Sequence, residues 1–267
     1  MSQESRRDVS RPSPTVPATF QTTRSNSIIY EIKVRFMLTL GVETSGRNSS
    51  VALLRQDRTL ARISLEVEGR TQTNRLVSAV RELLEQQQVK PADINLLAVS
   101  RGPGSFTGLR IGLVFAKTFA YIQRCPLKGV DTFAAIVEQI PSTFPRVEVV
   151  EDLRQGYVAS QGFHWRQTHW QAMSDIVAEK VTDWAERPKT GILLTGPSLD
   201  RLSRQLPGRA VPPDWNIAQP AWQTADAIAV AALGQRTFLE TGADDPFLLS
   251  PLYVRRSAAE ERADETS

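Results

Sequence analysis

The sequence predicts an α/β protein made of two successive β-β-β-α-β-α units. Three observations carry this reading. Short apolar runs, some alternating with period two, are interleaved with stretches of helical period. Gly-, Pro- and Ser-rich punctuation separates them. The order of element types in the first half returns, more loosely, in the second. The 267 residues suffice for one large domain or two small ones. An apolar fraction of 41% is ordinary for a globular protein. No run approaches the roughly 20 apolar residues of a membrane-spanning helix. The lone Cys125 excludes an intrachain disulfide framework and fits a reducing cytoplasm. The net charge of +3 is spread out rather than gathered in a stripe, which argues against direct RNA binding as the sole role.

Residues 1–36 read as an extension outside the fold. Its first 27 residues are rich in Ser, Thr, Arg and Pro and bury too little apolar surface to offset ordering entropy. Met37 stands directly before the first strand, so the extension is read as disordered or as a start assigned too early. Glu4 and Asp8 weigh against an organelle presequence. Leu38 to Val42 is an apolar strand. Ser50 to Leu54 follows the turn-prone Ser45-Gly46-Arg47-Asn48-Ser49, and Leu60 to Val67 alternates through Ile63, Leu65 and Val67. Three strands with short links predict an antiparallel meander. Leu76, Val80, Leu83 and Leu84 then share one helical face, with Thr73 or Asn74 as a cap and Pro91 closing the region. Ile94 to Val99 is a continuous apolar run, suited to a strand covered on both faces. From Phe106 to about Tyr121, Leu109, Leu113, Ala116 and Ala120 line one side of a helix, and Ile111, Phe115 and Phe119 another. A helix this apolar must be buried, in the core or against a partner. Leu127 to Val130 is a short strand, and Asp131-Thr132 opens a third helix.

The second half begins with strands expected at Arg146 to Val150, Gly156 to Gly162 and about His164 to Met173. A helix is expected from Ser174 to Glu186, with Ile176, Val177, Val181 and Trp184 inward. Ile192 to Thr195 is a buried strand, a helix runs to about Leu206, and Ala225 to Leu239 forms a long final helix. Two such units predict two ribonuclease-H-like lobes with mixed sheets flanked by helices. The first lobe spans 37–140. A divergent second lobe spans 141–256, its final helix packing back on the first. A disordered tail occupies 257–267.

The sharpest local feature is Gly102-Pro103-Gly104-Ser105-Phe106-Thr107-Gly108, between a strand and a helix. Glycines there permit close backbone approach, and the helix N-terminus offers free N–H groups to an anion. Gly102, Gly104, Ser105 and Thr107 are therefore the candidate cofactor-binding residues. The simpler reading, and the one the residues favour by themselves, is a tight strand–helix turn capped by Ser105. The string lacks the Gly-Lys-Ser/Thr ending of a Walker A loop, and Pro103 breaks the nucleophile-elbow pattern. Glu43-Thr44-Ser45 is a polar turn at the end of the first strand. His164 and His169, five apart and without a neighbouring Cys or carboxylate, do not form a metal set. Asp152 and Arg154 are expected to form a structural polar pair near the lobe boundary.

Leu38-Thr39-Leu40-Gly41-Val42-Glu43-Thr44-Ser45, the Ser50-Val51-Ala52-Leu53 strand, and the string from Gly102 through Leu109-Arg110-Ile111-Gly112 resemble the TsaB family of threonylcarbamoyladenosine biosynthesis proteins. Gly129-Val130-Asp131-Thr132-Phe133 continues the likeness. Asp152 to Tyr157 and Pro251-Leu252-Tyr253-Val254-Arg255 echo it. The resemblance is close over 37–140 and faint over 141–250. It departs at Thr71-Gln72-Thr73-Asn74, where the family often has His.

The resemblance implies an actin-like fold and a role in placing a threonylcarbamoyl group on the adenosine beside the tRNA anticodon. It implies no catalytic residue, no metal and no cofactor required by this chain, with ADP or ATP allowed at the partner interface. Catalysis would belong to a TsaD paralogue that binds metal through His-x-x-x-His, a motif this chain lacks. An ATPase subunit completes the complex, tRNA is reached through it, and no membrane is involved. Pairing with the paralogue, or with a second copy, would run through the two helices of the first lobe. Leu76, Val80, Leu83, Leu109, Leu113 and Ala116 are the residues expected at that contact. The competing expectation is an actin-like small-molecule kinase or ATP-binding enzyme, with Glu43 and Asp152 as one metal-binding carboxylate per lobe.

Overall fold

The first strand carries its large apolar side chains on alternate positions, and that alternation decides which layer each face meets. A computed structural model describes residues 37–46, 48–65, 72–206 and 210–254. The readings made for 1–36, for Val67 and for 257–267 lie outside what it describes, as do the side chains of Thr73 and Asn74 expected to cap the first helix. Strands β1 (Leu38–Glu43), β2 (Ser50–Arg55) and β3 (Arg58–Ser64) form the expected antiparallel meander. Leu40 and Val42 pair with Leu53 and Val51. These four lie in one core cluster, whereas Ala52 and Leu54 belong to another on the opposite face.

Helix α1 (Gln72–Gln86) leads to β4 (Leu96–Gly102), then α2 (Phe106–Gln123), β5 (Leu127–Asp131) and α3 (Thr132–Val137). β4 lies parallel to β1, and β5 parallel to β4, giving the sheet order β3-β2-β1-β4-β5. Ser105 caps α2, its hydroxyl oxygen accepting from the Gly108 amide at 3.3 Å. Arg124, in the left-handed region, closes the helix.

The second half repeats the plan. It contains β6 (Arg146–Arg154), β7 (Tyr157–Arg166), β8 (His169–Ala172), β9 (Val177–Lys180), α4 (Val181–Glu186), β10 (Leu193–Thr195), α5 (Leu199–Ser203), β11 (Asn216–Ile217) and α6 (Ala227–Thr241). The order β11-β10-β6-β7-β8 mirrors the first sheet, with β6 and β7 antiparallel and β10 and β11 parallel additions. Each sheet thus has the ribonuclease-H-like order, and two in tandem make the actin-like arrangement.

Two expectations change here. The strand expected over Gly156 to Gly162 runs on to Arg166, and β8 is a separate four-residue strand after a turn. The helix expected from Ser174 does not begin until Val181, because residues 177–180 form β9 instead. β9 pairs antiparallel with Tyr157 to Ser160 of β7. Edge hydrogen bonds offered by β7 outweigh the helical spacing of Val177, Val181 and Trp184, of which only the last two are buried.

The layers follow from the core clusters. α1 and α2 cover the outer face of the first sheet. α3 and α6 lie between the sheets, with Phe133, Ile136, Val230 and Leu233 meeting Val149 and Phe163. α4 and α5 cover part of the second sheet's outer face, with Trp184 fully buried against Val150, Val158 and Leu194. α6 also presses on the first sheet: a Cβ on Gly41 would come 2.2 Å from the Ala227 carbonyl oxygen. Asp226 caps α6 at Ile228 and holds Arg62 of β3 in an ion pair. No helix among the described residues is long and apolar enough to cross a membrane.

Candidate functional site

The glycine-rich string and the turn after β1 meet. The Ser105 amide donates to the Ser45 carbonyl at 2.6 Å, and the Thr44 amide donates to Ser100 Oγ at 3.3 Å. Gly104, at φ +156°, lies so close that an added Cβ would stand 2.5 Å from the Ser45 carbonyl oxygen. A Cβ on Gly108 would stand 2.0 Å from the Thr44 carbonyl oxygen. The small residues of the string therefore admit the chain's own backbone. Of the four residues expected to hold an anion, Gly102 and Gly104 are packed against Leu252 and Ser45, Ser105 caps its own helix, and Thr107 is exposed.

Beside this contact lies the seam between the lobes. Its cavity measures about 10 Å³, room for roughly one water. Glu43 and Glu151 both line it, along with Thr132 and Pro103. Glu43 Oε1 accepts from the Ser45 amide and hydroxyl, both at 2.5 Å. Burial pushes its carboxyl up, against the pull of those bonds and of Ser100. Burial pushes Glu151 up to about 7, partly opposed by the Ser198 hydroxyl, which donates to it at 3.1 Å, and by Arg201. Among the described residues, Glu43 Oε2, Glu151 Oε2 and Thr132 Oγ1 are buried without a hydrogen-bond partner.

The second-lobe carboxylate at the seam is thus Glu151 and not Asp152. Period two along β6 turns Glu151 to the inner face with Val147 and Val149. Asp152 turns outward with Val150 and forms an ion pair with Arg201 at 2.5 Å. The Asp152–Arg154 relationship is a backbone one: the Arg154 amide donates to Asp152 Oδ1 at 2.8 Å. A seam this narrow gives the kinase expectation no room for a nucleotide. His164 binds Gln171 and Arg166 at the surface, and no group of three or more His, Cys, Asp or Glu residues capable of holding a metal occurs among the described residues. Cys125 is half-buried, its thiol pushed up to about 11 by burial.

The second feature is the outward surface of α1 and α2, which pack side by side. All six residues expected to meet a partner are turned inward: Leu76, Val80, Leu83, Leu109, Leu113 and Ala116 are each at most 4% exposed. Burying such a side chain stabilises the fold by roughly 1.5–3 kcal/mol, so none is free to face outward. The helices' other sides carry a second apolar set. Val77, Val114, Tyr121 and Ile122 are 64%, 65%, 75% and 65% exposed. Val114, Tyr121 and Ile122 stand at i, i+7 and i+8, one face of α2. At the start of α2, Tyr253 stacks on Phe106 with ring centres 4.7 Å apart. Arg110 lies 3.8 Å over Phe106 and donates to the Tyr253 hydroxyl at 3.0 Å. Spacing along the chain gives no sign that Arg110 would meet a residue 143 positions away, or that Phe106 would stack on that same ring.

Comparison with known proteins agrees with this architecture. The chain is similar to a TsaB of Bacillus subtilis strain 168, a tRNA threonylcarbamoyladenosine biosynthesis protein, at 27% identity over 57% of this chain and 66% of that protein. To the Escherichia coli K12 protein of the same name it is 35% identical over 38% of this chain and 43% of that protein. The matches thus span less than two thirds of either relative's length. The solved structure of YeaZ from Pseudomonas aeruginosa superposes with a TM-score of 0.68 at 21% identity, covering 82% of this chain and 100% of that one, a likeness of fold. The family model described as TsaD, tRNA N6-adenosine threonylcarbamoyltransferase, matches residues 66–260, well over half of the sequence, and the chain belongs to that family.

Proposed function

We propose that this chain is a non-catalytic subunit in threonylcarbamoyladenosine modification of tRNA, docking on and activating a TsaD-type threonylcarbamoyltransferase. The observation that carries the reading is the outward apolar set Val77, Val114, Tyr121 and Ile122 on adjacent helices of the first lobe. Large apolar side chains exposed together on adjacent helices mark an interaction site. The names of the Bacillus subtilis and Escherichia coli relatives support the pathway. In this reading the chain works in the cytoplasm, needs no cofactor of its own, meets tRNA and an ATPase subunit through the complex, and forms a homodimer when the paralogue is missing. ADP or ATP would bind at the contact with the paralogue.

The test is genetic and biochemical together. Deleting the gene should abolish threonylcarbamoyladenosine in tRNA, and the segment starting at Met37 should restore it. The purified chain alone should leave tRNA unmodified. Modification by the isolated chain, or normal tRNA in the deletion strain, would overturn the proposal.

A further inference from the structure

On the outer face of the second sheet the covering helices are short: α4 has six residues and α5 five. They cover Val150, Val158 and Leu194. The strand alternation brings Glu148 and Gly162, paired across β6 and β7, and Ser160 to this same face. There the surface drops into a cavity of about 370 Å³. That volume lies in the ~300–1,000 Å³ range of small-molecule sites.

The floor is charged. Glu148 is buried and accepts from Trp184 Nε1 at 3.1 Å and from Arg187 Nη2 at 2.7 Å. Lys189 Nζ stands 3.5 Å from its other oxygen and donates to the Trp184 carbonyl at 2.8 Å. Arg187 Nη2 also reaches Glu179 at 2.7 Å and Ser160 Oγ at 3.1 Å. Among the described residues every side-chain bond of Arg187 runs through Nη2, so the donors on Nη1 and Nε are unspent, on a side chain 44% exposed. Arg146, also lining the cavity, makes no ion pair among the described residues. The lining thus holds three basic side chains and one carboxylate. The walls are apolar, including Met173 and Val177, which are 56% and 44% exposed although they border a pocket.

We propose that this cavity binds a small organic anion, its acidic group held by Arg146 and the free donors of Arg187, its apolar body laid on Met173, Val177 and Ile192. A guanidinium suits an oxyanion through charge-assisted, planar hydrogen bonds. The apolar walls supply what an inorganic ion could not use. The acidic group can be a carboxylate or a phosphate ester, since both present oxygens in that geometry. The site lies in the second lobe and does not depend on the docking role of α1 and α2.

The sequence has three methionines, so methyl-labelled methionine in the full chain gives a resolvable signal for Met173. The chain is titrated with phenylacetate, phenyl phosphate, neutral phenylacetamide, inorganic phosphate and a short RNA. Saturable movement of the Met173 methyl with phenylacetate or phenyl phosphate, and none with phenylacetamide, supports the site. The tighter of the two acids identifies the headgroup. Arg146→Gln, at an exposed position whose side chain makes no ion pair among the described residues, should fold normally and weaken binding roughly tenfold. No saturable shift, equal binding of phenylacetamide, or a response to inorganic phosphate or RNA alone overturns the proposal, as does unchanged affinity in Arg146→Gln.

Discussion

Gly108 packs on the Thr44 carbonyl oxygen so closely that a methyl group there would come within 2.0 Å of it. The opposing atom is backbone, at the end of β1, so it cannot rotate aside. Gly108→Ala should therefore destabilise the fold by about 1–3 kcal/mol, the usual cost of overpacking. Among the described residues nothing lies within 4 Å of where a Cβ on Gly46 would stand, and Gly46→Ala should stay within about 0.5 kcal/mol of wild type. Urea unfolding of both variants checks this. Equal midpoints would mean the contact is looser than the geometry shows.

The two faces of α2 should separate stability from association. Leu113 is 3% exposed and Val114 is 65% exposed. Leu113→Ala should cost about 2–5 kcal/mol in unfolding free energy. Val114→Asp with Tyr121→Asp should leave the unfolding midpoint nearly unchanged and abolish co-purification with a TsaD-type partner. If the double variant still binds at full strength, the docking surface lies elsewhere.

Stability should fall as pH rises toward neutrality. The Glu151 carboxyl is held at about 7 in the fold against an ordinary value of 4.5, chiefly by burial. The folded chain keeps a proton that the unfolded chain releases near 4.5, so the stabilisation is complete below that pH and lost as pH climbs through 7. Its full size is about 3 kcal/mol. Glu43 shifts in the same direction for the same reason. Urea midpoints measured from pH 5 to pH 7.5 should decline, and Glu151→Gln should flatten the decline and raise stability at pH 7.5. A wild-type midpoint that climbs over this window would refute the assignment.

Removing Glu148 should be costly. It is the shared acceptor for Trp184 Nε1 and Arg187 and the nearest anion to the Lys189 amine, whose side chain is 2% exposed. Glu148→Ala leaves a buried cation without its partner, which costs about 3–5 kcal/mol. Lys189, its amine already pushed down by burial, should then lose its proton more readily, and the variant should regain part of its stability at alkaline pH. Urea unfolding across pH 7 to pH 10 tests both statements. A loss below 1 kcal/mol would show that water already serves these groups.

Local chemistry alone was enough to read the elements of the first lobe. Leu40 and Val42, or Leu76, Val80 and Leu83, announce strand and helix because side-chain period follows directly from backbone geometry, and Ser105 suits a cap because its hydroxyl stands within reach of the first free amides of its own helix. Where periods of two kinds overlapped, neighbours distant in sequence decided. Val177 carries a helical spacing toward Val181, yet it stands in β9 because the edge of β7 was open to it. Glu151 and Asp152 are chemically alike, and only the register of β6 turned the first into the seam and the second toward Arg201.

The same limit governs the docking helices. A sequence shows that α2 is apolar on more than one side, and that much it determined by itself, along with the glycine string and the order of strands and helices in the first lobe. It does not show which side the sheet consumes. Tertiary packing assigned Leu113 to the core and left Val114 and Tyr121 outward, because a sheet buries one face of a helix against it and leaves the opposite face exposed. Tertiary structure likewise gathered Arg146, Glu148, Arg187 and Lys189 around one cavity, since charges some 40 residues apart meet only when β6 and the segment after α4 are laid side by side.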